Sequence, residues 1–269
     1  MPELPEAENI ARKLSEKISG KVISDFLLRR QDILKAGKPA EYQALAGQTV
    51  LKVGRRAKWV ILFFENGCRL WIHLGMTGQL ILAQKTGQSH IHVEISFRGL
   101  SEILSFRDIR RFGGLFLQSP EGQAPKGIAA LGPEPLEMSG QDFQKRLTGR
   151  KGRIKNFLLN QRFIAGIGNI YADEILFRAK IHPRKTPGKI PAEKSFNLFR
   201  AVQKVLREAI ADGGSSIDDY IHPDGLRGKF QEKHRVYARS GKMCFDCASK
   251  IRRIILNGRS TCFCPVCQK

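Results

Sequence analysis

The stretch CFDCASKIRRIILNGRSTCFCPVC, residues 244–267, decides the architecture of the carboxyl-terminal part of the chain. It contains two Cys-x2-Cys pairs, Cys244 with Cys247 and Cys264 with Cys267, separated by sixteen residues. Pairs with this gap are typical ligands of a zinc ion, which four thiolates surround as a tetrahedron. We therefore predict one structural Zn²⁺ ion, because four thiolates leave no open position for catalysis.

The residues between the two pairs predict a β-hairpin. Asn257-Gly258 separates the segments Ile251–Leu256 and Arg259–Phe263, and this dipeptide favours a two-residue type I′ turn. Arg259 then lies at the tip of the hairpin. The local pattern leaves two interpretations open, a guanidinium that reaches a ligand and an Arg that only keeps a turn soluble.

Charge indicates the class of partner. Lys and Arg number 46 against 25 Asp and Glu, a net charge of +21. Such an excess is typical of proteins that bind a polyanion, and nucleic acid is the commonest one, although a solvated basic surface is the alternative. The excess is concentrated in the second half, at residues 143–162 and 233–269.

The first 120 residues have the pattern of a β-sandwich. Glu6–Ile18 predicts a helix, and short strand-like segments with tight-turn signals follow it. These segments are Val22–Leu28, Val50–Val53, Trp59–Phe64, Cys68–His73, Gln79–Leu82, His92–Phe97 and Glu102–Phe106. A Pro- and Gly-rich stretch, Ser119–Glu137, is the best linker candidate.

Beyond that stretch the apolar spacing becomes helical. The predicted helices are Phe143–Leu147, Ile154–Phe163, Asn169–Arg178 and Ala192–Ala211. Gly166 and Gly168 precede the third, whose free N–H groups could bind a phosphate with Lys155 and Asn169 as side-chain donors. A helical hairpin that only packs is the alternative.

The sequence begins Met1-Pro2-Glu3, and removal of Met1 would expose a secondary amine on Pro2. An α-amino group has a pKa of about 8, so part of it is uncharged and nucleophilic near neutral pH. By itself, however, a Pro-Glu start is more often a simple lead-in to a helix.

Taken together, these residues resemble the bacterial formamidopyrimidine-DNA glycosylase family, also called 8-oxoguanine DNA glycosylase/AP lyase. The resemblance covers the whole chain. The matching stretches are Met1–Glu6, Arg55–Lys58, His73–Met76, Asp108–Gly113, Leu131–Leu136, Gly166–Tyr171 and the Cys pairs.

The resemblance implies an α+β fold in three domains. Residues 1–132 form a catalytic β-sandwich domain, residues 133–230 a helical helix–two-turn–helix domain, and residues 231–269 a zinc-ribbon hairpin. It also implies a bifunctional enzyme that excises oxidised purines, 8-oxoguanine and formamidopyrimidines, and cuts the strand by β,δ-elimination through a Schiff base.

The resemblance further assigns the site residues. Pro2 is the nucleophile, Glu3 the general acid/base, and Lys58 and Arg259 assist elimination and hold phosphate. Backbone binders are His73, His90, Lys155, Asn169 and Tyr237. Met76, Arg110 and Phe112 fill the void left by the flipped base, although composition alone favours Met76 and Phe112 as core residues. Residues 215–229 are expected to cover the damaged base.

The resemblance also implies a partner and a cellular location. We expect a monomer that acts on double-stranded DNA with oxidised purines or abasic sites in the bacterial cytoplasm. The sequence has no export signal, and no apolar run approaches the roughly 20 residues that span a bilayer. The alternatives are an endonuclease VIII-like glycosylase for oxidised pyrimidines and a non-enzymatic zinc-ribbon protein that binds nucleic acid.

Replacing Cys244 with Ala is expected to release the zinc ion, unfold the hairpin and weaken DNA binding, because three thiolates no longer enclose the metal. Metal content by atomic absorption and a binding titration on duplex DNA measure both effects. Cys68→Ala, outside the two pairs, is the control and should change neither. Full DNA affinity in the Cys244 variant would show that the hairpin does not contribute to DNA binding.

Overall fold

The computed structural model describes residues 2–84, 87–217 and 220–269. Met1, whose removal was predicted, lies outside these residues. So do Asp218 and Asp219 of the predicted cover segment. The chain forms two compact units: Met1–Ala130 with Asp212–Lys229, and Leu131–Ala211 with Phe230–Lys269. The first boundary falls inside the predicted linker, and residues 212–229 belong to the first unit. The three-domain division stays a prediction.

The first unit opens with helix α1 (Leu4–Ile18), which begins two residues before the predicted start. Glu3 is its N-cap, and Pro5 occupies the first turn, where the missing N–H costs nothing. One face of α1 is buried, with Ile10, Leu14 and Ile18 at helical spacing.

Among the described residues of the first unit, nine strands form two sheets. The strands are β1 (Ile23–Leu28), β2 (Leu34–Ala36), β3 (Val50–Arg56), β4 (Trp59–Phe64), β5 (Arg69–His73), β6 (Gly78–Ala83), β7 (Ile91–Phe97), β8 (Ile103–Asp108) and β9 (Gly114–Gln118). One sheet has the antiparallel order β1-β7-β8-β6. The other has the order β2-β9-β5-β4-β3, in which the β2–β9 pair alone is parallel.

The core of the first unit lies between these sheets and α1. Alternate residues of β4, Val60, Leu62 and Phe64, belong to it, as the period of two along a strand requires. Residues from β1, β7 and β8 of the other sheet join the same cluster. The predicted β-sandwich is therefore confirmed. The first unit also contains two short helices, α2 (Pro39–Gln43) and α3 (Lys126–Ala129).

The second unit is helical and ends in a hairpin. Its helices are α4 (Gly140–Leu147), α5 (Ile154–Leu159), α6 (Asn169–Arg178) and α7 (Ala192–Ala211). Its strands are β10 (Arg252–Leu256) and β11 (Arg259–Phe263). Short 3₁₀ turns lie at Pro187–Lys189 and Phe230–Lys233 of this unit and at Gln31–Ile33 of the first unit. Asn257 and Gly258 both have positive φ, 47° and 72°, as a type I′ turn requires. Within the described residues, no helix combines the length and apolarity needed to cross a bilayer.

Helix α5 and strand β9 differ from the sequence prediction, and the short elements β2, α2 and α3 were not predicted either. Helix α5 ends at Leu159 rather than at Phe163, because the side chain of Asn160 accepts the backbone N–H of Arg162 at 3.0 Å and so competes with the next helical turn. Strand β9 was not predicted. It begins at Gly114, where a Cβ atom would lie 2.8 Å from the carbonyl oxygen of Ile33, so the glycine that resembles a turn signal permits a close strand contact.

Gly75 and Gly20 provide a matched test of backbone constraint. Both have positive φ, +58° and +77°, but a Cβ at Gly75 would lie 2.5 Å from the backbone N of Gly113, whereas nothing lies within 4 Å at Gly20. Gly20→Ala should lower the free energy of unfolding by about 1 kcal/mol, and Gly75→Ala by about 3 kcal/mol, because steric overlap adds to the strained φ. Guanidinium denaturation compares them, and equal losses would contradict this account.

Candidate functional site

The amino-terminal segment is held by a buried carboxylate. Pro2 and Glu3 are buried, and Glu6 is 1% exposed. One carboxylate oxygen of Glu6 accepts the backbone N–H of Glu3 at 2.8 Å, and the other accepts the backbone N–H of Ser215 at 2.8 Å. Glu6 therefore fixes the backbone that carries Pro2 and Glu3, and it joins this backbone to the segment that was expected to cover the base.

Lys58 lies in the two-residue turn between β3 and β4, and its side chain is buried. The preceding Ala57 has a φ of 52°, the value that such a turn needs. Arg55 supports the turn, since its guanidinium donates to the carbonyl oxygen of Ala57 at 3.1 Å and to Glu8 of α1 at 2.8 Å. The turn with Lys58 is thus tied to the helix that begins at Leu4.

His73 ends β5, with its ring 4.7 Å from the ring of Trp59. Burial, with a smaller contribution from the nearby Lys58 ammonium, lowers the pKa of His73 to about 4. Its Nδ1 accepts the backbone N–H of Gly75 at 3.2 Å, so the ring proton resides on Nε2. A neutral imidazole with an Nε2–H suits a hydrogen bond to a phosphate oxygen.

Met76, Arg110 and Phe112 come together on the surface of the first unit. The Arg110 guanidinium lies 4.5 Å from the centre of the Phe112 ring, and one of its nitrogens lies 3.5 Å from the Met76 sulfur. Met76 is 44% exposed and Phe112 57% exposed. Composition alone favoured both as core residues, and that interpretation is wrong.

Asp108 holds the backbone segments that carry this cluster. The carboxylate is fully buried and accepts the hydroxyl of Thr77 at 2.5 Å and the backbone N–H groups of Gly113 and Arg110 at 2.8 and 3.2 Å. Because Thr77 follows Met76 directly, one carboxylate holds the backbone on both sides of the exposed cluster.

The described residues of the segment 212–229 contact α1 of their own unit at Ser215 and Asp224. Besides the Ser215–Glu6 hydrogen bond, Lys13 of α1 forms an ion pair with Asp224. The backbone N–H of Leu82 also donates to the carbonyl oxygen of Pro223 at 2.8 Å. Leu226 nearby is 62% exposed. The cover role of this segment stays a prediction.

In the second unit, Lys155 is fully buried. Its ammonium lies 2.6 Å from Asp173 and donates to the Thr261 hydroxyl at 2.9 Å and the Ser260 carbonyl oxygen at 3.1 Å. Asn169, at the start of α6, donates to that same carbonyl oxygen at 3.0 Å. Both predicted phosphate binders therefore contact β11, and their contacts to DNA stay predictions.

Glu174 holds the segment that contains Tyr237. Its buried carboxylate accepts the backbone N–H groups of Arg235, Val236 and Tyr237 at 2.8 to 2.9 Å. Burial raises the pKa of this carboxyl group, and the three hydrogen bonds oppose the rise. His90, the remaining predicted binder, is exposed on the first unit with a φ of 66°.

Arg259 is exposed at the start of β11, beside a hollow of about 300 Å³. The other lining residues are Asn156, Leu159, Asn160 and Asn257. Side-chain amides and a guanidinium offer several N–H donors to an anionic or polar ligand.

The four paired cysteines form a site that can hold a metal ion. Their sulfur atoms all lie within 4.8 Å of one another, with Cys247 and Cys264 at 3.4 Å and Cys244 and Cys267 at 3.9 Å. In a tetrahedron with metal–sulfur bonds of about 2.3 Å, neighbouring sulfurs are about 3.8 Å apart. The donor set and its spacing therefore fit Zn²⁺.

Sequence reasoning missed the buried acids that position these segments. Asp108, Asp173 and Glu174 received no role. A signal was present in α6, where Asp173 and Glu174 interrupt an otherwise apolar run. Carboxylates inside an apolar helix are buried together with their partners, since an unpaired buried charge is costly.

Comparison with known proteins identifies the family. The formamidopyrimidine-DNA glycosylase N-terminal domain matches residues 1–115, and the formamidopyrimidine-DNA glycosylase H2TH domain matches residues 131–220. A formamidopyrimidine-DNA glycosylase of Solibacter usitatus is 46% identical over 100% of both chains.

Solved structures agree with these matches. A Lactococcus lactis FPG mutant in complex with a Fapy-dG containing DNA has a TM-score of 0.92 at 34% identity over 100% of both chains. The Lactococcus lactis Fpg with an abasic site containing DNA has a TM-score of 0.91 at 34% identity over 99% of both chains. The fold and the matches define a DNA repair glycosylase. The chain belongs to the formamidopyrimidine-DNA glycosylase family.

The pKa of His73 predicts a dependence of stability on pH. Its folded value of about 4 lies below the ordinary 6.5, so the native ring stays neutral while the unfolded ring takes up a proton. The free energy of unfolding should therefore fall as the pH decreases from 6.5 to 4, and His73→Gln should reduce that fall. Chemical denaturation at pH 7, 5.5 and 4.5 measures it. The same pH dependence in both proteins would contradict the assignment.

Proposed function

We propose that this chain is a bifunctional base-excision enzyme. It removes oxidised purines, 8-oxoguanine and formamidopyrimidines, from duplex DNA and then cleaves the strand as an AP lyase. The observation that carries the proposal is the amino-terminal geometry in a chain of this family: Glu6 binds the backbone N–H of Glu3 next to Pro2. An amine held in one geometry is what nucleophilic attack at a sugar carbon needs.

The reaction begins at Pro2. After loss of Met1, the lone pair of the secondary amine attacks C1′ of the damaged nucleotide, and the C1′–N bond to the base breaks with its electron pair on the base. Opening of the sugar ring gives a cationic iminium between Pro2 and C1′. Glu3 supplies and removes protons at the sugar, because its side chain adjoins the attacking amine in sequence.

The iminium then acts as an electron sink. Loss of a proton from C2′ expels the 3′-phosphate in β-elimination, and a second elimination expels the 5′-phosphate. Lys58 and Arg259 bind the departing phosphates and stabilise their charge. The products are a one-nucleotide gap flanked by phosphates and, after hydrolysis of the iminium, free Pro2 and the unsaturated aldehyde that remains of the sugar.

Excision requires that the base leaves the helical stack, which costs a few kcal/mol. The exposed cluster of Met76, Arg110 and Phe112 suits the space that remains: an apolar chain and a ring replace stacking, and the guanidinium donates to the orphan cytosine. His73, His90, Asn169 and Tyr237 contact the backbone, and residues 215–229 cover the flipped base.

The four cysteines would hold one Zn²⁺ ion in a structural role, because four thiolates leave no open position on the metal. Their binding to the ion would stabilise the fold of the hairpin that carries Arg259. We further propose that the enzyme acts as a monomer on DNA in the bacterial cytoplasm.

Borohydride trapping tests this function. The native chain should form a covalent adduct with an 8-oxoguanine:cytosine duplex, because borohydride reduces the iminium to a stable amine. A chain with one extra residue before Pro2 should lose more than about 99% of the adduct, since its proline nitrogen is an amide without a nucleophilic lone pair. Gel electrophoresis of the labelled duplex measures the adduct.

A chain with the same residue added after Lys269 is the matched control and should cross-link like the native chain. A parallel duplex with an oxidised pyrimidine separates the enzyme from an endonuclease VIII-like glycosylase, which would prefer that substrate. Tight binding with no adduct on either duplex would indicate the third alternative, a zinc-ribbon protein that only binds nucleic acid.

A further inference from the structure

A buried ion pair lies against the strand that carries Arg259. Lys155 of α5 and Asp173 of α6 approach to 2.6 Å, with side chains that are 0% and 1% exposed. Lys155 also donates to the carbonyl oxygen of Ser260 and to the hydroxyl of Thr261. The second carboxylate oxygen of Asp173 accepts the backbone N–H of Cys262 at 2.8 Å.

These bonds reach three consecutive residues of β11, namely residues 260, 261 and 262. Asn169 adds a second donor to the carbonyl oxygen of Ser260. Arg259 directly precedes this segment and is exposed beside the amide-lined hollow. Because each of the three residues is bound from α5 or α6, the direction of the strand, and with it the position of the Arg259 backbone, is fixed by side chains of these helices.

The ammonium of Lys155 is matched to this environment. It donates hydrogen bonds to the Thr261 hydroxyl and the Ser260 carbonyl oxygen, and it forms an ion pair with Asp173. Full burial leaves no exposed surface for a phosphate to contact. Burial of two charges is expensive, and an apolar pair could fill the same volume at lower cost, so the pair is better explained by the orientation that it gives the strand.

We propose that Lys155 and Asp173 are positioning residues for Arg259, acting through β11 rather than by contact with DNA. The proposal rests on the proposed function, in which Arg259 binds a phosphate. It replaces the direct phosphate contact that the sequence suggested for Lys155, and it gives Asp173 a role that the sequence did not suggest.

A double-mutant cycle tests the proposal with the full-length, zinc-loaded protein and a duplex that contains a tetrahydrofuran abasic analogue. Lys155→Met, Asp173→Asn and Arg259→Ala are compared singly, and each of the first two is combined with the third. Each single change should weaken binding by roughly 10- to 100-fold, the range for a lost hydrogen bond to a charged group. In the Arg259→Ala background, the further loss should be less than about twofold, because the contact is already absent.

Arg252→Ala is the matched control. Arg252 is an exposed cation on β10, so the change removes one charge from the same hairpin without touching the pair. Its effect should multiply with that of Arg259→Ala. Lys155→Met leaves a buried carboxylate without its cation, and this variant can fail to fold for that reason. In that case Lys155→Met/Asp173→Asn replaces it in the cycle. The double variant removes both charges and keeps an amide oxygen that accepts the Cys262 N–H.

Three results would overturn the proposal. One is that Lys155→Met weakens binding as much in the Arg259→Ala background as it does alone. If the slope of log affinity against log salt concentration also decreased by about one, Lys155 would contact a phosphate directly. Another is unchanged binding by Arg259→Ala alone. The third comes without DNA: hydrogen exchange at residues 260–263 should be faster in Asp173→Asn at unchanged zinc content, and an unchanged rate counts against the proposal. Absence of binding by the native chain would instead contradict the proposed function.

Discussion

The carboxylate of Glu6 accepts one backbone N–H from Glu3 and another from Ser215, 212 positions further along the chain. A buried carboxylate must have such partners, since leaving it unpaired would cost several kcal/mol. This requirement ties the backbone of Glu3 and that of Ser215 to one point on α1. The candidate nucleophile and the candidate cover segment therefore occupy fixed positions within one compact unit.

The same arrangement recurs at three other segments that carry or adjoin a candidate functional residue. Asp108 holds the segments of Met76, Arg110 and Phe112, Glu174 holds that of Tyr237, and Asp173 holds the strand that follows Arg259. In a chain with a net charge of +21, these acids lie inside the protein. The surface keeps the positive charge that attracts a polyanion, while the interior uses the negative charge to order backbone N–H groups.

Patterns with a short range along the chain were predictable. The Asn257-Gly258 turn, the bounds of α6 and α7 and most strands of the sandwich follow from local spacing. Strand β2 escaped prediction because it has only three residues, and β9 because it begins at a glycine that resembles a turn signal. Helix α5 was predicted too long because the side chain of Asn160 accepts a nearby backbone N–H. Met76 and Phe112 have core composition, yet they are exposed.

The sequence by itself determined the chemistry that is available: a proline after the initiator Met, two cysteine pairs at metal-binding spacing, and a basic surface. These are properties of residue type and of separations of a few positions, which the chain carries in any conformation. The tertiary structure alone decided which partner each buried charge has. From its sequence context, Lys155 could have bound either a phosphate or a carboxylate. Its partner is Asp173 because of how elements that lie far apart in the sequence pack together. Burial is a property of that packing, so no local pattern records it.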